Sequence, residues 1–122
     1  MSGIKYLADT NCFIYPLDES PLLLPFASDT WAFSYITEIE LLSKKGITSL
    51  GETVIGTMLD TCYKVDHSPI LTAFAIELKR TNSIKLPDAL IAASAKLMNL
   101  PLLTADKGFS GIKGIDCIIL EL

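Results

Sequence analysis

Two short apolar runs end at an isolated acid, two helix-like stretches open on one, and this alternation constrains the chain more than any other feature. Ile4 to Ala8 reads as a buried strand that stops at Asp9-Thr10-Asn11, where polar residues break the pattern. The aromatic-rich run from Trp31 to Ile36 reads as a second strand. Thr37 follows as a helix N-cap, with Glu38 and Glu40 at the start of the helix, Leu41 and Leu42 inside it, and Lys44-Lys45-Gly46 as its stop. Thr48 to Asp60 predicts a helix and Cys62 to Val65 a short third strand. Ser68-Pro69 opens a further helix, in which Leu71, Phe74, Ala75 and Leu78 recur at helical spacing. Leu86-Pro87-Asp88 opens the clearest helix, carrying Leu90, Ile91, Ser94, Leu97 and Met98 on one face with Ala92 and Ala95 beside them. Pro101 to Asp106 and Asp116 to Leu120 complete the set as fourth and fifth strands.

Strands alternating with helices predict an α/β fold: a single three-layer α/β/α domain over residues 1–122, with a mainly parallel sheet of about five strands. At 122 residues there is room for one core. Hydrophobic residues make up 50% of the chain and charged residues 20%, too apolar a balance for disorder. No apolar run approaches the roughly 20 residues of a membrane crossing, and no secretory signal is read at the start. Cys12, Cys62 and Cys117 are widely spaced and contain no CxxC, so neither a disulfide framework nor a zinc site is expected, and a reducing cytoplasm is the expected setting.

A formal net charge of −4 excludes a protein that grips nucleic acid through a broadly basic surface. The acids carry the signal instead. In open parallel sheets, function gathers beyond the carboxyl ends of the strands, where Asp9 and Asp106 fall. Glu38 or Glu40 begins the helix after the second strand, and Asp88 begins the longest helix. Four carboxylates brought together raise one another's pKa, and a divalent cation is the usual compensation. An oxygen-only donor set favours Mg²⁺ or Mn²⁺. His67, the single histidine, is read as an exposed turn residue. Trp31, Phe33 and Tyr35 alternate and are read as strand residues facing the core.

Four segments, Tyr6-Leu-Ala-Asp9-Thr10-Asn11, Ile36-Thr37-Glu38-Ile39-Glu40-Leu41-Leu42, Leu86-Pro87-Asp88-Ala89-Leu90-Ile91-Ala92-Ala93 and Leu102-Leu-Thr104-Ala-Asp106-Lys107-Gly-Phe109, resemble in order the signature segments of the PIN-domain family. The small VapC-like toxins, metal-dependent ribonucleases, are the members most similar. The resemblance implies that Asp9, Glu40, Asp88 and Asp106 hold one or two Mg²⁺ or Mn²⁺ ions and carry catalysis, with Asn11 and Thr104 in support. It favours Glu40 over Glu38 through the Thr-x-x-Glu-Leu pattern. The helical wheel leaves that choice open, because residues two apart lie about 200° apart and both acids flank the Ile36, Ile39, Leu42 stripe. The stretch from Cys12 to Thr30 holds three prolines and no base. The base clusters are therefore Lys44-Lys45 and Lys79-Arg80 with Lys85, the candidates to rim an RNA groove.

The expected function is an endoribonuclease that hydrolyses RNA phosphodiester bonds, the toxin of a toxin–antitoxin pair. Its expected partners are an RNA substrate, a small antitoxin and a second copy of the chain. The competing reading is a PIN-fold interaction module that binds a protein partner through the acidic pocket. A phosphorelay receiver domain also clusters acids at strand ends, but it pairs two adjacent acids after its first strand, whereas Asp9 follows Ala8.

Overall fold

Residue alternation along the strands decides how this chain layers. The structure is a computed structural model that describes residues 3–17, 26 and 28–121. Its elements run β1 (Ile4–Ala8), α1 (Asn11–Leu17), β2 (Thr30–Ser34), α2 (Tyr35–Leu42), α3 (Ser49–Asp60), β3 (Tyr63–Val65), α4 (Pro69–Thr81), α5 (Leu86–Met98), β4 (Leu102–Thr104), a 3-10 turn (Lys107–Gly111) and β5 (Cys117–Ile119). The five strands form one sheet in the order β3-β2-β1-β4-β5, and every pairing is parallel. The register sets Leu7 opposite Ala32 and Ala8 opposite Leu103.

Successive strand residues point to opposite faces, and two cores result. Leu7, Ala32, Val65 and Leu102 face one side, where Leu71, Ala75 and Leu78 of α4 and Ile91 and Ala92 of α5 cover them. Ala8, Trp31, Phe33 and Leu103 face the other, against Cys12 and Phe13 of α1, Leu41 of α2, and Ile55 and Leu59 of α3. Phe13 meets Trp31 and Phe33 edge-on, with ring centroids 5.6 and 6.0 Å apart. The result is the expected three-layer α/β/α arrangement. No helix among the described residues is long and apolar enough to cross a membrane.

The helix ends follow their local chemistry. Thr48 and Ser68 cap α3 and α4 by accepting the N–H of Gly51 and Leu71, and Pro69 occupies the first turn of α4. Asn99 ends α5 in the left-handed region at φ 54°. The deepest part of α5 is its run of small residues: Ala89, Ala92, Ala93, Ser94 and Ala95 are buried with Ile91, whereas Leu90, Leu97 and Met98 are only partly covered. Small side chains let this helix lie close to both α4 and the sheet.

The structure departs from the sequence reading by a residue at the ends of β3 and β5 and further in the places that follow. The second strand ends at Ser34 instead of Ile36, because the Ser34 hydroxyl accepts the Ile36 N–H at 3.1 Å and starts α2 there. Tyr35 is consequently helical, and Thr37 is a fully buried residue inside α2 and not its cap. Helix α1 had no counterpart in the reading, since adjacent Cys12 and Phe13 are both buried and leave no helical stripe. The fourth strand stops at Thr104, two residues short of Asp106. Of the base-free stretch from Cys12 to Thr30, residues 18–25 and 27 lie outside the described residues.

Candidate active site

The strand order reverses at β1, which continues to β2 and β3 on one side and has β4 and β5 on the other. The carboxyl ends of β1 and β4 therefore flank a topological switch point, where loops leaving in opposite directions open a crevice. Asp9 sits there, 6% exposed, with its backbone N–H bonded to the Leu103 carbonyl at 2.9 Å.

Three donors orient the Asp9 carboxylate. The Thr10 N–H donates to Oδ1 at 2.8 Å, while the Thr104 hydroxyl and the Asn11 amide donate to Oδ2 at 2.7 and 3.3 Å. Thr104 is fully buried, and its Oγ1 also accepts the Asp106 N–H at 3.0 Å. One hydroxyl thus ties the first acid to the backbone of the last. Asn11 spans the same gap, since its Oδ1 accepts the Ala105 N–H at 3.4 Å. Asp106 caps the 3-10 turn, with Oδ1 accepting the Gly108 N–H at 2.8 Å.

The two glutamates of α2 go to different places. The Thr10 hydroxyl donates to Glu40 Oε1 at 2.6 Å and lies 3.0 Å from the hydroxyl of Thr37. Glu38 instead pairs with Lys64 of β3 at 3.4 Å. Burial of Thr37 sets the rotation of α2, and that rotation sends Glu40 toward Asp9. Asp88 lies in the first turn of α5, and its carboxylate receives no hydrogen bond among the described residues.

The electrostatics tie these acids together. Burial pushes the Asp9 carboxyl above its ordinary range; the bonds from Thr104 and Thr10 pull it down, and the charges of Asp88 and Glu40 push it up. Asp88 is also raised, first by burial and then by Asp106 and Glu40, with Lys85 opposing them. Among the described residues, no three His, Cys, Asp or Glu side chains stand close enough to share an ion in this conformation. The acids feel one another's charge without converging on one point. As a donor set they suit a hard divalent cation: all ligand atoms are oxygens, their charges repel, and Glu40 Oε2, Asp106 Oδ2 and the whole Asp88 carboxylate accept no hydrogen bond among the described residues.

Of the bases named from sequence, Lys85 lies beside Asp88. Lys44 and Lys45 are exposed beyond the end of α2, and Arg80 is exposed on α4. Lys79 donates to the Ile84 carbonyl at 2.9 Å. A cavity of about 300 Å³ lies against Asp88 and Asp106, and its one cationic lining residue is Lys85. Thr10 and Thr37 are site residues that the reading did not single out. Their sequence signal was position, Thr10 directly after Asp9 and Thr37 at the head of the Thr-x-x-Glu-Leu pattern. His67 is exposed beside Tyr35, its ring 6.3 Å from the tyrosine ring.

The PIN domain family model matches residues 6–115. A toxin–antitoxin complex from Klebsiella pneumoniae is similar at 28% identity, with a TM-score of 0.79 and coverage of 91% of this chain and 95% of that one. VapBC2 from Rickettsia felis, bound to a DNA fragment from its promoter, is similar at 25% identity and a TM-score of 0.81, covering 97% and 99% of the two chains. DNA-bound VapBC from Salmonella typhimurium shares the fold at 19% identity and a TM-score of 0.84, covering 95% and 98%. No curated protein sequence matches the chain.

Proposed function

From the premise that this chain belongs to the PIN domain family, we propose that it is a divalent-metal-dependent endoribonuclease acting as the toxin of a toxin–antitoxin pair. The observation that carries the reading is Asp9, a buried carboxylate at the switch point, aimed by Thr104 and Asn11 and within the electrostatic reach of Glu40 and Asp88. The charged neighbours of Asp9 are other acids, an arrangement that a divalent cation would compensate. The toxin assignment rests on the likeness to the Klebsiella pneumoniae toxin–antitoxin complex. Residues 1–122 act as one domain, in the cytoplasm, with a small antitoxin as partner and as a homodimer.

Asp9, Glu40, Asp88 and Asp106 are the residues that would hold Mg²⁺ or Mn²⁺. The chemistry such an ion supplies when bound is a lowered water pKa and charge neutralisation at the scissile phosphate. The chain's own part is positional. Thr104 and Asn11 fix Asp9, and Thr10 fixes Glu40 Oε1, leaving Oε2 able to accept a proton from an attacking water. The Asp106 bond from Gly108 holds one carboxylate oxygen and leaves the other outside that bond, on a residue that lines the cavity. Because the pocket is acidic, RNA approaches it only when cations offset its charge.

The test is cleavage of single-stranded RNA by the purified chain with Mg²⁺, Mn²⁺ or EDTA. Cleavage with either ion, lost in EDTA and in Glu40→Gln, is the expected result. No cleavage with any ion, together with capture of a basic peptide by the acidic pocket, would establish the interaction-module reading in its place.

A further inference from the structure

The cavity beside Asp88 and Asp106 has two walls. One is the turn from Ser83 to Lys85 that leads into α5, and the other is the 3-10 turn that carries Gly108 and Phe109. Both walls are fastened by hydrogen bonds within the chain. Lys79 donates to the Ile84 carbonyl at 2.9 Å, and the Asn82 amide donates to the Leu78 carbonyl at 3.1 Å. The Asn82 Oδ1 accepts the Lys113 N–H at 3.1 Å, which links one wall to the segment after the other. A cavity formed in advance costs little ordering on binding.

Lys85 differs from Lys64, Lys79 and Lys96, whose ammonium groups are engaged. Lys64 is paired with Glu38, Lys96 with Glu77, and Lys79 with the Ile84 carbonyl. Lys85 is exposed, contributes no side-chain cap to α5, and makes no ion pair or side-chain hydrogen bond among the described residues. It stands at the mouth of a cavity whose other charged groups, Asp88 and Asp106, are acids of the candidate active site.

We propose that Lys85 and this cavity form the subsite for the nucleotide flanking the scissile phosphate, with the Lys85 ammonium on its phosphate and its base in the cavity. The inference rests on the nuclease reading above. An RNA strand laid across four carboxylates meets repulsion at every phosphate that no cation faces. Lysine contacts a phosphate as a point charge and fixes the register of the strand. A cavity of about 300 Å³ lies at the small end of the ligand-pocket range and suits a single base. Ile84 offers apolar surface to a base above a floor formed by the nearly buried Phe109 and Ile112, and Ser83 offers a polar rim to its edge.

Two measurements on the full chain test this. The first is binding of a fluorescein-labelled single-stranded RNA 12-mer with Ca²⁺ present, followed against salt. Loss of one phosphate contact lowers the salt slope by about 0.7 for a single strand. Lys85→Gln should show that loss, and Lys85→Arg should restore the wild-type slope. The second is sequencing of the ends produced from a random RNA pool with Mn²⁺. The wild type should show a base preference beside the cut, and Ser83→Phe, which fills the cavity from an exposed position, should erase that preference in the ends it produces. A Lys85→Gln slope equal to wild type, or an unchanged preference in Ser83→Phe, overturns the subsite and leaves the nuclease reading standing. A wild type that neither binds nor cuts RNA overturns both.

Discussion

Thr104→Val is the substitution that most directly probes how the site is built. Valine keeps the β-branched shape that a strand favours and replaces the hydroxyl with a methyl group. Two bonds disappear: the one donated to Asp9 Oδ2 at 2.7 Å and the one accepted from the Asp106 N–H at 3.0 Å. The first is buried and has a carboxylate acceptor, a class worth about 1.5–3 kcal/mol. A loss of about 2 kcal/mol in a chain of this length lowers Tm by about 8 °C. Thr104→Ser retains the hydroxyl and should lose much less. The cost depends on the charge of Asp9, whose carboxyl burial has already raised. Removing the Thr104 bond, one of the groups that lowers it, raises it further. Stability of the metal-free protein falls as pH rises from the unfolded pKa to the raised folded one, and the variant falls further because its folded pKa is higher. The wild-type advantage therefore grows as pH rises through the folded pKa of Asp9 and shrinks at about pH 3, below the ordinary carboxylate range. The assay is thermal melting in EDTA at neutral pH and at about pH 3. Equal melting temperatures for Thr104→Val and wild type at neutral pH, or a gap that persists unchanged in acid, would refute the argument.

Other outcomes follow from the same geometry. Glu40→Gln should abolish metal-dependent cleavage, while Glu38→Gln should keep most of it and cost no more than about 1 kcal/mol, since its partner Lys64 is an exposed one; the reverse pattern in a cleavage assay would show that α2 is turned the other way. RNA binding measured by anisotropy should be weak in EDTA and strengthen with Mn²⁺, because the chain carries a net charge of −4. Asp88→Asn loses about 0.3–1 kcal/mol at the start of α5 but sheds repulsion from Asp106 and Glu40, so its metal-free Tm should match or exceed wild type. Adding Mn²⁺ at a hundredfold excess over Kd should stabilise wild type by about 2.7 kcal/mol and the variant much less, a contrast read from melting curves.

Much of the architecture was legible because its causes are local. Alternation along Trp31, Ala32 and Phe33, and the capping residues Thr48 and Ser68, mark strands and helix starts without any distant partner. The placing of Asp9 at a strand end needed only the apolar run before it. Helix α1 was not legible, because a helix that buries Cys12 and Phe13 in succession shows no period. The start of α2 was misplaced because Ser34 and Thr37 are equally good caps by type, and only packing decides that Thr37 is buried. The same packing separates Glu40 from Glu38: two residues about 200° apart on a helix both flank its apolar stripe, and the neighbour Thr10 comes from the turn after β1 while Lys64 comes from β3. By itself, the sequence determined the layers, the parallel sheet and the acids at its edge, since these depend on hydrophobic period and on chain order. Only the tertiary structure decided which glutamate bonds to Thr10 beside Asp9, that Thr104 joins Asp9 to Asp106, and that Lys85 stands at the cavity. Each of these joins residues far apart in the chain, and no local preference carries that information.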